Sequence, residues 1–205
     1  MLIRSSIVVF PLLVFIFTIR KKKDSSQRMV NKMESVQSTT FVRQLSKTDL
    51  WQVRELALEI FPVTYQEIVE KEQIDYMMDM FYTPENLLKQ FESGQVFLVI
   101  YTELKASGFA SYTSLNENGI YKLNKIYVDN RLQGKGLGRS LLNEVFSLVK
   151  NAGGKSLQLN VNRFNKAVGF YKSMGFDLKK EELLDIGRGY FMDDFVMEKI
   201  LQPEA

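Results

Sequence analysis

Residues 133–139 read Gln-Gly-Lys-Gly-Leu-Gly-Arg, and no other stretch of the chain narrows its fold as much. The run follows a short apolar strand, Lys125-Ile126-Tyr127-Val128, and leads into an amphipathic helix opening at Ser140-Leu141-Leu142. Strand, glycine turn and helix in succession bring unpaired backbone N–H groups to a helix N-terminus, where the macrodipole adds partial positive charge. Such a terminus is a site for phosphate. Glycine lets the backbone approach a pyrophosphate that a side chain would hold off. The run therefore predicts a phosphate-bearing ligand.

Two absences bound the chemistry. The 205 residues include no cysteine, which excludes disulfide scaffolds, thiolate nucleophiles and zinc–cysteine sites. They include no histidine either, which removes the commonest general base and the commonest metal ligand. No metal is expected, and acid–base work falls to Asp, Glu, Tyr, Lys or water. A net charge of +3 is too small to call for nucleic acid.

The ends of the chain differ from its body. Residues 7–19 are apolar except for Thr18, with Arg4 before them and Arg20-Lys21-Lys22-Lys23 after them. The run is shorter than the roughly 20 apolar residues of a transmembrane helix. Its charges lie on the side opposite to that of a secretory signal. Two readings stand for residues 1–23: a short anchor giving weak membrane association, or an upstream extension never translated because synthesis starts at Met29 or Met33. An inserted anchor would keep its heavier positive flank, and the rest of the chain, on the cytoplasmic side. Residues 24–40 are polar and read as a linker.

A single domain is expected over residues 41–201. Residues 41–45 alternate like a strand, and Ser46 with Asp49 resembles a capping box opening a helix over 49–61 that Pro62 breaks. Helical patches follow near 73–81 and 84–91, then strands over 95–101 and 106–115, a hairpin turn at 116–119 and a strand over 120–128. After the glycine run come a helix to Asn151, a Gly153-Gly154 stop, a strand over 156–161, a helix over 165–174 closed by Gly175, and two more strands.

Among glycine-rich phosphate loops, a Walker loop needs a lysine and then Ser or Thr after its last glycine, which Gly138-Arg139 does not supply. A dinucleotide fingerprint spaces its glycines unevenly and carries an acid on the next strand. Here glycines 134, 136 and 138 are evenly spaced, and the next strand offers Gln158 and Asn160. The pattern Gln133-x-x-Gly136-x-Gly138 instead resembles the acyl-coenzyme A loop of the GCN5-related N-acetyltransferases (GNAT). A second stretch, Asn165-x-Ala167-x-x-Phe170-Tyr171-x-x-x-Gly175-Phe176, is similar to another motif of that superfamily.

The resemblance implies an α/β (α+β) fold: a mixed, mostly antiparallel sheet of about seven strands, splayed between strands four and five and flanked by helices. Acetyl-coenzyme A would lie in the gap, its pantetheine added to strand four like a further strand. On that pattern the backbone at Ile126 and Val128 would hold pantetheine. Gln133, Gly134, Lys135, Gly136, Leu137, Gly138 and Arg139 would hold the pyrophosphate. Arg139 reads equally as a solvated helix-start arginine, and Asn165 as a coenzyme contact or a plain N-cap. Tyr171 stands where the family places the proton donor to the departing thiolate, and it belongs to the coenzyme set as well. A phenol near 10 is close enough to a thiol near about 8.5 for the transfer, against the alternative of a core tyrosine. Many relatives carry a glutamate base on strand four. Here Asn124 stands among residues 121–128 with no carboxylate before Asp129, so the base is unassigned.

For the acceptor, residues 51–93 hold nine carboxylates against three basic residues, a field that would concentrate a cation or that belongs to ordinary solvated helix faces. Phe61-Pro62-Val63-Thr64-Tyr65 and Gly189-Tyr190-Phe191-Met192-Asp193-Asp194 look like segments of bacterial spermine/spermidine N-acetyltransferases. The resemblance points to a small primary amine such as a polyamine, with Tyr65, Glu67, Tyr190 and Asp194 as acceptor-pocket candidates. Acetylation of a protein or peptide N-terminus, and an acyl-CoA sensor without catalysis, are the alternatives. A homodimer is compatible with the pattern.

Overall fold

The computed structural model describes residues 39–115 and 118–201. The apolar run 7–19, most of the linker and part of the 116–119 turn lie outside the described residues. Among those described, no helix is long and apolar enough to cross a membrane.

Among the described residues, seven strands form one sheet: β1 (Thr40–Gln44), β2 (Val96–Thr102), β3 (Lys105–Ser114), β4 (Ile120–Val128), β5 (Ser156–Asn162), β6 (Asp177–Gly187) and β7 (Tyr190–Ile200). Their order is β1-β2-β3-β4-β5-β7-β6. All neighbours are antiparallel except β4 and β5, which run parallel. Alternation along β2 explains its unbroken apolar sequence. Phe97, Val99 and Tyr101 enter one core, and Leu98 and Ile100 the other.

Three helices, α1 (Trp51–Tyr65), α2 (Lys71–Tyr82) and α3 (Pro84–Glu92), cover the Phe97 face. Two more, α4 (Leu137–Asn151) and α5 (Ala167–Ser173), cover the Leu98 face. The stripe Leu137, Leu141, Leu142, Val145 and Val149 recurs at helical spacing and is buried. Each such side chain is worth roughly 1.5–3 kcal/mol relative to exposure, so α4 is held mainly by this stripe.

Three local expectations are corrected. Pro62 does not end the first helix, which runs on to Tyr65. Proline costs about 3 kcal/mol inside a helix, but burial of Val53, Leu56, Ala57, Ile60 and Phe61 outweighs that. The Tyr65 ring also packs on Phe61 at 4.5 Å between centroids. Nor does Ser46 cap this helix. It precedes a 3-10 turn, Lys47–Asp49, and donates to Asp49 Oδ2 at 2.9 Å. The helix after the glycine run begins at Leu137 rather than Ser140, so the loop's last residues already belong to its first turn.

Candidate active site

β4 and β5 pair only from Ile120↔Ser156 to Leu123↔Leu159. Beyond that register β4 stays on β3 through Val128↔Gly108, while β5 stays on β7 through Asn162↔Asp194. Each strand is held by its outer neighbour, so the two part, and among the described residues one edge of residues 124–128 has no strand partner. A cavity of about 820 Å³ opens at the parting, walled by β4, β5, the glycine loop, α5 and the end of α1.

The glycine loop frames one end of it. Gly134 and Gly136 have φ of +79° and +82°, a region that suits glycine. No atom stands within 4 Å of where a Cβ on either would point. Ser140 N–H to Gly136 C=O, at 3.0 Å, is the first bond of the α4 ladder. The amides of Leu137, Gly138 and Arg139 therefore point out of the helix end. Their direction, the open space and the cavity's size fit a coenzyme with a pyrophosphate.

Of the candidates, Ile126, Val128, Gln133, Gly134, Gly136, Leu137, Gly138, Arg139, Asn165, Tyr171, Tyr65 and Glu67 all line this cavity. Lys135 is exposed and does not. Asn165 Oδ1 accepts from the Ala167 amide at 2.8 Å, which is the capping geometry. Glu67 pairs with Lys166 at 3.2 Å across the rim. It is the one member of the acidic set from residues 51–93 on the cavity wall. Glu59, Asp75 and Glu92 are exposed and paired with Arg131, Lys71 and Lys47. The acid surplus is therefore mostly a set of solvated helix faces.

Tyr171 packs between Phe170 and Phe176, with centroids at 5.4 and 5.9 Å. Burial pushes its phenol well up from 10.0, and the nearby Tyr65 phenol adds to this. The expected match to a thiol thus gives way to a phenol that stays protonated. Tyr190 is elsewhere, against Tyr76 at 5.5 Å, and does not reach the cavity. Asp194 lies behind the wall, 1% exposed.

Tyr127 was not singled out from the sequence. It reads as one apolar residue of a strand, yet its hydroxyl meets that of Tyr65 at 3.3 Å on the cavity wall. Burial raises both phenols. Lys125 is also buried, its Nζ donating to Gln90 Oε1 at 2.5 Å and lying over the Phe81 and Tyr82 rings. Loss of hydration lowers its pKa to about 8. Among the described residues, no group of three or more carboxylates is placed to hold a metal ion.

Comparison with known proteins agrees with this geometry. Residues 65–188 match the family model for the acetyltransferase (GNAT) domain. An uncharacterized N-acetyltransferase of Methanocaldococcus jannaschii is 30% identical over 100 residues, which is 46% of this chain but only 43% of that protein. The spermidine N(1)-acetyltransferase of Thermoplasma acidophilum is 27% identical over 77% of this chain and 95% of its own length. The crystal structure of the PaiA N-acetyltransferase from Thermoplasma acidophilum in complex with coenzyme A superposes with a TM-score of 0.68, at 27% identity, over 79% of this chain and 99% of that one. Since the family match runs from Tyr65 on the cavity rim to Arg188 and takes in both parting strands, the chain belongs to the GNAT family of acetyltransferases and is an acyltransferase.

Proposed function

We propose that residues 41–201 transfer an acetyl group from acetyl-CoA to a primary amine, with a polyamine of the spermidine class as acceptor. The observation that carries this reading is the parting of β4 and β5 beside a glycine-framed helix N-terminus. Pantetheine adds to the free edge at Ile126 and Val128, and the loop amides from Gly134 to Arg139 take the pyrophosphate. The amine nitrogen attacks the acetyl carbonyl, a C–N bond forms, the C–S bond breaks, and the thiolate leaves. Tyr171, kept protonated by burial, donates a hydrogen bond to the sulfur as charge develops there. Asn165 serves first as the α5 cap.

The relative that acts on spermidine supports the acceptor class, as does Glu67 on the cavity wall. Purified protein with acetyl-CoA is expected to release free thiol when spermidine or spermine is added. Release with other amines but not polyamines moves the acceptor to that class. No release with any amine removes the transferase reading. Gly136→Val forces a branched side chain into a left-handed conformation costing about 1–2 kcal/mol, so coenzyme affinity measured by calorimetry is expected to fall roughly tenfold.

A further inference from the structure

The reaction requires the acceptor to shed a proton, because an ammonium cannot attack, and β4 carries no carboxylate on the cavity wall. A carboxylate stands one layer behind it. Asp194 is 1% exposed, and among the described residues neither of its oxygens has a hydrogen bond of ordinary geometry, although the Asn160 amide is close enough to favour its charge. A buried carboxylate so poorly paired is costly, and such groups cluster at functional sites. Asp194 helps to line a second cavity of about 10 Å³, whose other polar residues are Tyr65, Gln73 and Asn162. That is about the least space that holds one water, beside side chains with polar groups. Tyr65 lines both this cavity and the large one. Its hydroxyl meets Tyr127 on the large-cavity side, and the Asp194 charge acts on it from behind.

We propose that Asp194 is the terminal acceptor of the proton lost by the substrate amine, reached through the Tyr65 hydroxyl and a water in the small cavity. This rests on the acetyl-transfer reading above. The ammonium gives a proton to the Tyr65 oxygen, Tyr65 passes its own to the water, and the water passes one to the carboxylate. A neutral amine and a neutral Asp194 result, with both intermediates restored. After the C–N bond forms and the C–S bond breaks, the amide nitrogen's surplus proton goes to the thiolate, and Asp194 returns its proton to solvent.

The surroundings suit a carboxyl that exchanges protons near neutrality. Burial raises Asp194 from 3.8 to about 6, the Asn160 amide and Lys122 draw it down, and Asp193 and Glu182 push it up. The Asn160 amide makes its own bond to Glu182 Oε2 at 3.0 Å, and Asp193 is tied to Arg163 at 2.6 Å. Asn162 of β5, Tyr65 of α1 and Gln73 of α2 are the other polar groups around the small cavity, and among the described residues no cation forms an ion pair with the carboxylate.

The test compares the parent with Asp194→Asn and Tyr65→Phe, using acetyl-CoA with spermidine or, where spermidine is inert, the amine giving thiol release in the acceptor screen. For the parent, kcat/KM is expected to rise through a limb near pH 6, set by Asp194. In Asp194→Asn that limb disappears, kcat falls by about 10²-fold, and the remaining rate follows deprotonation of the amine itself. Tyr65→Phe loses rate similarly at unchanged coenzyme affinity, and Asp194→Glu recovers part of it. Stability separates this from a structural role. Folding raises this carboxyl, so stability is lost as pH climbs from 3.8 to about 6. Asp194→Asn is therefore expected to flatten that slope and to melt no lower than the parent at pH 7.5. A parent active with an amine, whose pH profile both variants share, overturns the proposal and leaves the transferase reading intact. A parent inactive with every amine overturns both.

Discussion

Tyr171→Phe is expected to lower kcat by about 10²-fold or more while leaving coenzyme affinity nearly unchanged. The phenol oxygen is the one atom removed. The ring keeps its contacts with Phe170 and Phe176. Little stability is lost with the hydroxyl, and equal melting temperatures would show it. Loss of turnover at constant coenzyme affinity then reads an interaction made only as the thiolate develops. Unchanged kcat would return Tyr171 to the role of a core aromatic. The buried phenol titrates well above 10.0, so this group sets no limb in the pH profile at neutrality. Any limb near pH 6 belongs to another residue.

Gly108→Ala is expected to cost about 2–3 kcal/mol of stability and to weaken coenzyme binding as well. A Cβ at this position would stand 2.6 Å from the Tyr127 carbonyl oxygen, 3.0 Å from Val128 Cα and 3.2 Å from Ile100 Cγ2. Two of these are backbone atoms of β4, which cannot rotate aside. Relief requires β4 to shift away from β3 at the Gly108↔Val128 pair, where its other edge borders the cleft. Urea unfolding with calorimetry of coenzyme binding would show both losses. Gly169→Ala is the control, since nothing lies within 4 Å of its Cβ position inside α5. Replacing a helical glycine there is expected to be neutral, or to stabilise by up to about 1 kcal/mol. Equal effects at the two positions would show that the β3–β4 contact is not what limits the site.

Much of the fold was legible because it is written in local terms. Strand-length apolar runs bounded by turn residues located the β2–β3–β4 meander, and the amphipathic run from Ser140-Leu141-Leu142 located α4. Gly153 and Gly175 marked helix ends. Where the reading failed, either a contact distant in sequence overrode a local rule or the local pattern left its geometry open. Pro62 breaks helices in isolation, but here the residues around it are buried against β2 and β3. The Ser46–Asp49 pair had the spacing of a capping box, yet the hydroxyl bonded the carboxylate itself. The acidic stretch gave a count of charges without their directions, and most of those described face solvent.

The sequence by itself determined the glycine-framed helix end, because left-handed φ values and free first-turn amides are properties of residues adjacent in the chain. With the Asn165–Phe176 stretch, that was enough to point to an acyl-coenzyme A family. Only the tertiary structure decided where β4 and β5 part, that Tyr65 meets Tyr127, and that the carboxylate of Asp194 is shut away behind them. Those facts depend on strand register and on helices that cross the sheet from elsewhere in the chain. An aspartate reads the same in sequence whether it is solvated or buried. Its environment, set by the fold, decides when it takes a proton.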